Sequence, residues 1–407
     1  MSRQNGVMAP TCGTHGGSGS AHVAQRREGR GSGRPAPEPG AHARGPRMSR
    51  HLVIMAAGTG GHIIPGLAVA EEMIRRGWSV SWMGTELGLE NKLVPPTGIP
   101  LDRLAFAGLR GKGLMHTVKG VFKLVQAFVQ SRSVFGNRSA DAVLGMGGYV
   151  CFPGGLMAYL MRRPLMLINA DAAMLLSNQS LKPFASKIGF GFDGVAAASS
   201  PKAVVTGNPV RAEIEALPAP AQRYAGRSGP LRLLVVGGSL GARAINEILP
   251  KMLALWPQAE RPIVVHQTGQ ANFAVVQAAY REAGIGGADI RPFVDDMALQ
   301  LARADLILCR AGAVTVSEIC AAGLAAVLVP LVVSTTSHQR DNARFMAQHG
   351  AAVHLPQEEL SAEGVYQLLK SMDREALLEM AERARALARP RAASRVADEI
   401  EKLVNPS

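Results

Sequence analysis

The stretch Leu231–Arg243, LRLLVVGGSLGAR, decides the fold. Its first six residues form a short apolar run, which predicts a buried strand that ends at Val236. Three glycines then let the backbone bend, and a helical pattern begins at Ala242. A strand, a glycine-rich turn and a helix in this order can cradle a phosphate, because backbone N–H groups and the positive end of the helix dipole face the anion. The same residues are also compatible with an ordinary tight turn.

Two further glycine loops repeat this arrangement in the first half of the chain. A predicted strand over 51–57 is followed by GTGGH, Gly58–His62, and by a helix over 63–76 with Pro65 near its first turn. A predicted strand over 141–145 is followed by MGGYVC, Met146–Cys151. Three such loops on parallel strands favour phosphate cradles over plain turns.

His62 falls at the start of the first predicted helix. The helix dipole disfavours a cation there, so the imidazole should be neutral near pH 7. A neutral histidine beside a substrate can act as a general base. It can equally be a structural histidine that is satisfied by local backbone bonds.

Length and composition suit two α/β domains preceded by a different kind of segment. The chain has 407 residues, and its four cysteines show no paired spacing, which indicates a reducing cytoplasm and no structural metal. Residues 1–47 are rich in Gly, Ala, Pro, Ser and Arg and lack an apolar core, so we expect a disordered tail or a mis-called start before Met48.

The charge balance points to an anionic partner. The formal net charge is +13, and the tail's seven arginines and two glutamates account for +5 of it. The remaining +8 favours a nucleotide or a membrane surface. Nucleic acid ranks last, because no basic and aromatic interleaving is present.

A basic and apolar stretch follows Leu109. Apolar residues recur at helical spacing over 114–129, with lysines among them. Periodicity alone favours a helix with its apolar stripe in the core. The alternative is a surface that meets anionic lipid headgroups while apolar side chains enter the interface.

The second half continues the alternation of strands and helices, which predicts a second doubly wound domain after a linker over 217–230. Asn169 and Asp171 follow a predicted strand at the sheet edge where ligands bind in open α/β folds. Glu318, in a helix after another strand, can compensate the helix dipole or accept the hydroxyls of a ribose.

Seven motifs in this order carry a resemblance to a known family. The chain from about Met48 onward resembles the lipid II-forming N-acetylglucosaminyltransferases of glycosyltransferase family 28, which have the GT-B fold. The motifs are Gly58–His62, Gly108–Gly113, Gly145–Val150, Gly207–Arg211, Gly237–Ala242, Ala313–Glu318 and His338–Gln339. The resemblance implies two Rossmann-like domains that face each other across a cleft.

The resemblance also implies an activity and its partners. UDP-GlcNAc would donate GlcNAc to the undecaprenyl-pyrophosphoryl-MurNAc-pentapeptide lipid (lipid I), with inversion and without a metal or cofactor. The protein would be peripheral at the cytoplasmic face of the cell membrane, and the cell-wall and division machinery are further candidate partners. Residues 48–211 and a last helix over 392–407 would form the acceptor and membrane domain, and 212–391 would bind the donor.

Site residues are carried over from the same motifs. His62 is the candidate base. Residues implied at the donor are Thr59, Gly60, Gly61, Asn169, Asp171, Arg211 and Ser239 at the diphosphate and sugar, Val294 at the uracil, Ala313, Val314, Thr315, Val316, Ser317 and Glu318 at the ribose wall, and Gln339 at GlcNAc. The acceptor pyrophosphate would meet Gly58, Gly60, Gly61, Gly147, Gly148 and Tyr149, and the membrane patch would contain Arg110, Lys112, Lys119, Phe122 and Lys123.

The chain departs from the family pattern at three places. Leu240 and Ala311 replace the usual glutamine and serine, and the family's HEQN segment reads Ile168-Asn169-Ala170-Asp171. The family's asparagine at the position of Asp171 contacts the donor, whereas an aspartate near a diphosphate is repelled unless it binds a hydroxyl. Two other functions stay open: a UDP-GlcNAc 2-epimerase of related fold, which would keep the nucleotide cleft, and a binding module without activity, which the altered segment at 168–171 motivates.

Overall fold

The computed structural model describes residues 49–58, 60–106, 114–238, 241–331 and 338–405, and side chains are described in these ranges except at 114–119 and Val195. Within these ranges no helix is long and apolar enough to cross a bilayer. The regular structure consists of two parallel sheets and the helices that cover them.

The first sheet contains seven described strands, all paired in parallel, in the order β3-β2-β1-β4-β5-β6-β7. These strands are β1 His51–Ala56, β2 Ser79–Thr85, β3 Leu101–Leu104, β4 Ala142–Gly147, β5 Leu165–Asn169, β6 Lys187–Phe190 and β7 Ala203–Val205. The second sheet contains six, in the order β10-β9-β8-β11-β12-β13. These are β8 Arg232–Val236, β9 Ile263–Gln267, β10 Asp289–Arg291, β11 Leu306–Cys309, β12 Ala325–Leu328 and β13 Val353–His354.

Helices connect successive strands and cover both faces of each sheet. In the first half they are α1 Gly60–Arg75, α2 Glu90–Leu93, α3 Leu114–Asn137, α4 Cys151–Leu160, α5 Leu176–Leu181 and α6 Val195–Ala198. In the second half they are α7 Ala212–Glu215, α8 Pro220–Tyr224, α9 Arg243–Ala254, α10 Phe273–Glu282, α11 Met297–Arg303, α12 Ala313–Ala322, α13 His338–Gln348, α14 Ala362–Lys370, α15 Arg374–Ala386 and α16 Ala392–Val404.

Strand order fixes where ligands can bind. In the first sheet the connections change direction between β1 and β4, and in the second between β8 and β11. Loops that leave the carboxyl ends of two such strands run apart and open a crevice, which is the usual ligand site of doubly wound folds. The three predicted glycine loops follow β1, β4 and β8.

The last helix, α16, packs against the first half. Val396, Ala397 and Ile400 are fully buried in one apolar cluster with β1 and α1. Arg76, at the end of α1, donates hydrogen bonds to Asp398 at 2.7 Å and to Glu401 at 2.8 Å. Burial of this apolar face, reinforced by the ion pairs, holds the end of the chain on the first sheet.

Two sequence predictions of local structure are corrected. Helix α1 begins at Gly60, so Pro65 is its sixth residue rather than part of its first turn. The predicted linker over 217–230 contains α8, where Tyr224 is buried and its hydroxyl donates to the carbonyl of Asp305 at 2.5 Å. Composition could not predict this contact, because the hydrogen-bond partner of Tyr224 lies far along the chain.

Candidate functional site

The loops after β1 and β4 meet at His62. The backbone N–H of Ala57 donates to the carbonyl of Gly147 at 3.2 Å. A Cβ atom at Gly147 would lie 2.5 Å from the His62 ring, and the φ of Gly147 is +132°. Only glycine combines this backbone conformation with such a close approach. Two glycine loops that are distant in sequence therefore form one surface around a histidine.

The hydrogen bonding of His62 fixes its tautomer. Nδ1 lies 3.3 Å from the carbonyl oxygen of Ala57, which can only accept, so Nδ1 carries the proton and Nε2 has the lone pair. Burial lowers the pKa of His62, while the bond to Ala57 and the charge of Asp171 oppose that effect. The imidazole is therefore neutral near pH 7 and can accept a proton at Nε2.

Glu90 is a buried carboxylate that the sequence analysis missed. It is fully buried and accepts from the backbone N–H of Gly58 at 3.0 Å and from the N–H and hydroxyl of Thr85 at 2.7 and 2.6 Å. The N–H of Gly58 is therefore used by Glu90, and the predicted contact of Gly58 with the acceptor pyrophosphate stays a prediction without this N–H as its donor. Gly84 and Gly88 pack closely on this carboxylate in the folded chain, but no sequence motif marks Glu90.

The other residues predicted at the acceptor pyrophosphate surround the same point. Gly60 and Gly61 are the first residues of α1, and the exposed Gly61 presents the start of that helix to solvent. Gly148 has a φ of +89°, and the side chain of Tyr149 is 45% exposed. Thr59 lies outside the described residues. The start of α1 and the turn after β4 thus offer backbone donors to an anion.

On the second sheet, Gln267 connects two parts of the predicted donor site. Its Nε2 donates to the carbonyl of Gly238 in the glycine loop at 3.1 Å, and its Oε1 accepts from the N–H of Val294 at 3.1 Å. Because Gln267 engages the N–H of Val294, a backbone contact of Val294 with uracil would have to use its carbonyl oxygen. Gly241 has a φ of +76° against Thr268, whereas Ser239 lies outside the described residues. Sequence reasoning missed Gln267, since a strand-end glutamine carries no motif of its own.

Glu318, in α12, and Arg211, which precedes α7, form an ion pair. The guanidinium of Arg211 donates to one carboxylate oxygen of Glu318 from Nε at 3.0 Å and from Nη2 at 2.8 Å. Burial raises the pKa of Glu318, and the charge of Arg211 opposes the rise. Arg211, which was predicted at the diphosphate, thus pairs with Glu318, which was predicted at the ribose. The pair uses one carboxylate oxygen of Glu318, so the second oxygen can accept from a ribose hydroxyl.

The remaining residues predicted on α12 divide into two groups. Ala313, Val314 and Thr315 are half-buried in its first turn. Val316, by contrast, is fully buried in the core, and the hydroxyl of Ser317 donates to the carbonyl of Ala313 at 2.9 Å. The Val316 side chain therefore faces the core, because the helical period of 3.6 residues turns it inward, and the predicted donor contact of Val316 would have to come from its backbone.

Gln339 is the second residue of α13. Its Oε1 accepts from the backbone N–H of Leu331 at 2.9 Å. The residues between them, 332–337, lie outside the described ranges. A side-chain amide at this position can turn its remaining groups to a sugar hydroxyl.

Asn169 uses its hydrogen-bonding groups within the protein. It is fully buried, and its Nδ2 donates to the carbonyls of Asp171 at 2.8 Å and Ala173 at 3.1 Å. Its Oδ1 accepts from the N–H of Leu175 at 2.9 Å and from Asn178 at 3.2 Å. The prediction of a donor contact for Asn169 is therefore wrong: its hydrogen-bonding groups are used to shape the turn after β5.

Asp171 lies where the two halves of the chain touch. Its Oδ1 accepts from Nδ2 of Asn342 at 2.8 Å, and Asn342 belongs to α13. Asp171 is also close enough to His62 for its charge to raise the pKa of that histidine, against the larger effect of burial. The carboxylate that replaces the family's asparagine is thus held by a protein amide rather than left facing a diphosphate.

The long helix α3 exposes an apolar strip. Val121, Phe122, Val125 and Val129 are 54%, 71%, 55% and 63% exposed. Lys123 is exposed among them. The helix also packs on the core, through residues that include Ala127 and Phe135, so periodicity was right about one face, but the strip of Val121, Phe122, Val125 and Val129 is not in the core. Arg110 and Lys112, and the side chain of Lys119, lie outside the described part of the chain.

The two sheets and the loops at their switch points define a class of protein: two-domain α/β enzymes of the GT-B type, which bind a nucleotide on one domain and an acceptor on the other. The chain matches the models of the glycosyltransferase family 28 N-terminal domain over 52–190 and C-terminal domain over 232–400. It therefore belongs to glycosyltransferase family 28, and the predictions of family, fold class and enzyme are confirmed.

Two relatives with the same name, and one solved structure, are similar to most of this chain. The UDP-N-acetylglucosamine–N-acetylmuramyl-(pentapeptide) pyrophosphoryl-undecaprenol N-acetylglucosamine transferase of Methylibium petroleiphilum is 66% identical over 359 residues, which cover 87% of this chain and 98% of the relative. The transferase of the same name from Chromobacterium violaceum is 63% identical, over 86% and 97%. The crystal structure of Acinetobacter baumannii MurG is 37% identical with a TM-score of 0.75, over 87% of this chain and 99% of that chain.

A UDP-GlcNAc 2-epimerase shares the fold alone. The enzyme from Neisseria meningitidis bound to UDP-GlcNAc is 12% identical with a TM-score of 0.60, over 87% of this chain and all of that one. At that identity the likeness carries no statement on activity. The much closer transferases thus outweigh the epimerase and the inactive module as hypotheses.

Proposed function

We propose that this protein transfers GlcNAc from UDP-GlcNAc to N-acetylmuramyl-(pentapeptide) pyrophosphoryl-undecaprenol, giving lipid II. The observation that carries the proposal is the meeting of His62 with the glycine loops after β1 and β4, opposite a donor site marked by Glu318. An epimerase needs the nucleotide site, but it has no use for a second phosphate cradle. Relatives 66% and 63% identical bear the name of this transferase.

In this mechanism His62 acts as the general base. Nε2 takes the proton from the acceptor hydroxyl while that oxygen forms a bond to the anomeric carbon of GlcNAc. The bond from that carbon to the phosphate oxygen breaks, and UDP leaves with the bonding electrons. The glycine loop before α9 stabilises the negative charge of the diphosphate. Attack opposite the leaving group inverts the anomeric configuration.

We extend the proposal to the division of the chain. Residues 48–211 with α16 would form the acceptor domain, and 212–391 the donor domain. The first sheet, the second sheet and the packing of α16 on α1 support these limits. The tail before Met48 would then be dispensable for activity, so we use a protein that starts at Met48 for the assay below.

The test is release of UDP from UDP-GlcNAc, with and without a short-chain analogue of the acceptor lipid and with EDTA present. We expect release that depends on the acceptor and survives EDTA. Turnover without acceptor would indicate an epimerase or a hydrolase. Tight binding of UDP-GlcNAc without any turnover would indicate a binding module.

Glu318→Gln should raise the KM for UDP-GlcNAc about 10- to 100-fold, because the ribose hydroxyls lose a charged acceptor whose bonds contribute roughly 1.5–3 kcal/mol. The exposed Glu213 on the neighbouring α7 provides a matched control, since Glu213→Gln removes the same charge nearby. A 2′-deoxy donor sharpens the measurement. In the wild-type protein the 2′-deoxy donor should bind less tightly than UDP-GlcNAc, whereas in Glu318→Gln the two donors should bind with about the same affinity. If removal of the 2′-hydroxyl lowers the affinity equally in both proteins, the ribose contact is contradicted.

We also propose that the protein is peripheral at an anionic membrane through α3. Phe122→Ser with Val129→Ser should lower the partition coefficient onto phosphatidylglycerol vesicles about tenfold or more, since two exposed apolar side chains no longer enter the interface. Val275→Ser is the control: Val275 is 73% exposed, but it lies on α10 in the second half. Equal vesicle binding of all three proteins would rule out this surface.

A further inference from the structure

Asn342 ties together three segments that belong to different halves of the protein. It is fully buried in α13. Its Nδ2 donates to Oδ1 of Asp171 at 2.8 Å and to the carbonyl of Ala311 at 3.0 Å. Its Oδ1 accepts from the backbone N–H of Ala172 at 2.8 Å. Both amide protons and the amide oxygen are thus used, which fixes the orientation of the side chain.

These contacts cross from one sheet to the other. Asp171 and Ala172 form the turn after β5 of the first sheet, whereas Ala311 and α13 lie in the second half. Asn208 makes a second crossing contact nearby: its Nδ2 donates to the carbonyl of Ala170 at 2.8 Å and to the hydroxyl of Ser317 at 3.0 Å. Two buried amides therefore hold the same turn against the donor half.

The position of Asn342 relates this contact to the reaction. Gln339, predicted at GlcNAc, lies one helical turn earlier on α13, and Ala311 comes just before the helix that carries Glu318. On the other side, the turn at Asp171 follows β5, which is the neighbour of β4, and the last residue of β4, Gly147, lies against the His62 ring. The Asn342 amide thus connects the segments that would hold the donor to the turn after β5, on the side of the cleft that carries His62.

We propose that Asp171 and Asn342 are an interdomain positioning pair, which sets the donor-binding wall against His62 for transfer; this inference rests on the proposed function. It gives the atypical Asp171 a task other than donor binding. A carboxylate only accepts hydrogen bonds, so it holds the Asn342 amide in a single orientation. In-line transfer needs the acceptor oxygen and the anomeric carbon in register across the cleft, and a displacement of about 1 Å can reduce the rate about 100-fold.

An exchange of the two residues provides the test. Asn342→Asp places a carboxylate against Asp171 and against the carbonyl of Ala311, and we expect kcat/KM to fall about 100-fold. Asp171→Asn keeps an acceptor oxygen for Asn342 and should change kcat/KM less than about threefold. The double variant restores an amide opposite a carboxylate and should regain at least about tenfold over Asn342→Asp.

Asp171→Ala separates positioning from folding and from nucleotide binding. The donor site of the second half is untouched, so we expect an unchanged Kd for UDP and a kcat about tenfold lower. The control is Asp102→Ala. Asp102 accepts two 3.0 Å bonds from Arg138 within the first half, so its loss should lower the Tm without changing kcat or KM.

Three outcomes decide the proposal. Rescue of Asn342→Asp by Asp171→Asn, together with a selective fall of kcat in Asp171→Ala, supports the pair. Failure of rescue, or wild-type kcat in Asp171→Ala, overturns it. If the wild-type protein itself shows no transfer to the acceptor, the proposed function fails instead, and that result is visible before any variant is compared.

Discussion

We expect His62→Ala to lower kcat about 10²- to 10⁴-fold, because the acceptor hydroxyl then loses its general base. The loss should fall on kcat for the complete reaction, while the Kd for UDP stays within about twofold, since His62 lies in α1 beside the first sheet and the proposed nucleotide site lies at the second sheet. His349→Ala removes an exposed histidine that directly follows α13 and is the matched control. Near-full activity of His62→Ala would overturn the assignment of the base.

The pH dependence gives an independent check of His62. The base must be neutral, and burial lowers the pKa of His62 below the usual value of 6.5. The rate should therefore be constant around neutral pH and fall on the acid side, at a pH below about 6.5. In His62→Ala this acid limb should vanish from the residual activity. An acid limb that persists unchanged would assign the titration to another group.

The positions of the strands and of the glycine loops could be predicted from local sequence pattern. Each of the glycine loops at Gly58, Gly147 and Gly237 follows a buried strand, because an apolar run that stops at glycines is a signal within one stretch of chain. The alternation of strands and helices predicted doubly wound sheets, and the resemblance to family 28 implied the GT-B fold and the role of His62. The strand order, which brings the loops after β1 and β4 together, was not predicted from the sequence and comes from the structure.

Contacts between distant residues were not accessible in this way. Glu90 is in a short helix with no sequence motif, and it satisfies the Gly58 N–H only because the fold brings the two together. The sequence predicted that Asn169, at the end of a strand, contacts the donor, but its side chain donates hydrogen bonds to carbonyls of the turn that follows. A side-chain amide is compatible with either environment, and only the partners supplied by tertiary structure decide between them.

The second large effect concerns Gly147, which touches the base without taking part in the chemistry. We expect Gly147→Ala to lower kcat about 100-fold, because the new Cβ would lie 2.5 Å from the His62 ring and would have to displace it. The φ of +132° adds backbone strain of roughly 1–3 kcal/mol for any other residue. The imidazole keeps its chemistry but loses its position beside the acceptor cradle.

Gly136→Ala is the control for the Gly147 variant. Gly136 lies in α3 with nothing within 4 Å of an added Cβ, so alanine there should leave kcat unchanged and favour the helix. Steady-state kinetics and a urea melt distinguish the two ways in which Gly147→Ala can fail. A lower kcat in a protein that is still folded at assay temperature follows from displacement of His62. A wild-type kcat in the folded Gly147 variant would mean that the ring does not need this position, and the role of His62 as base would lose its geometric support.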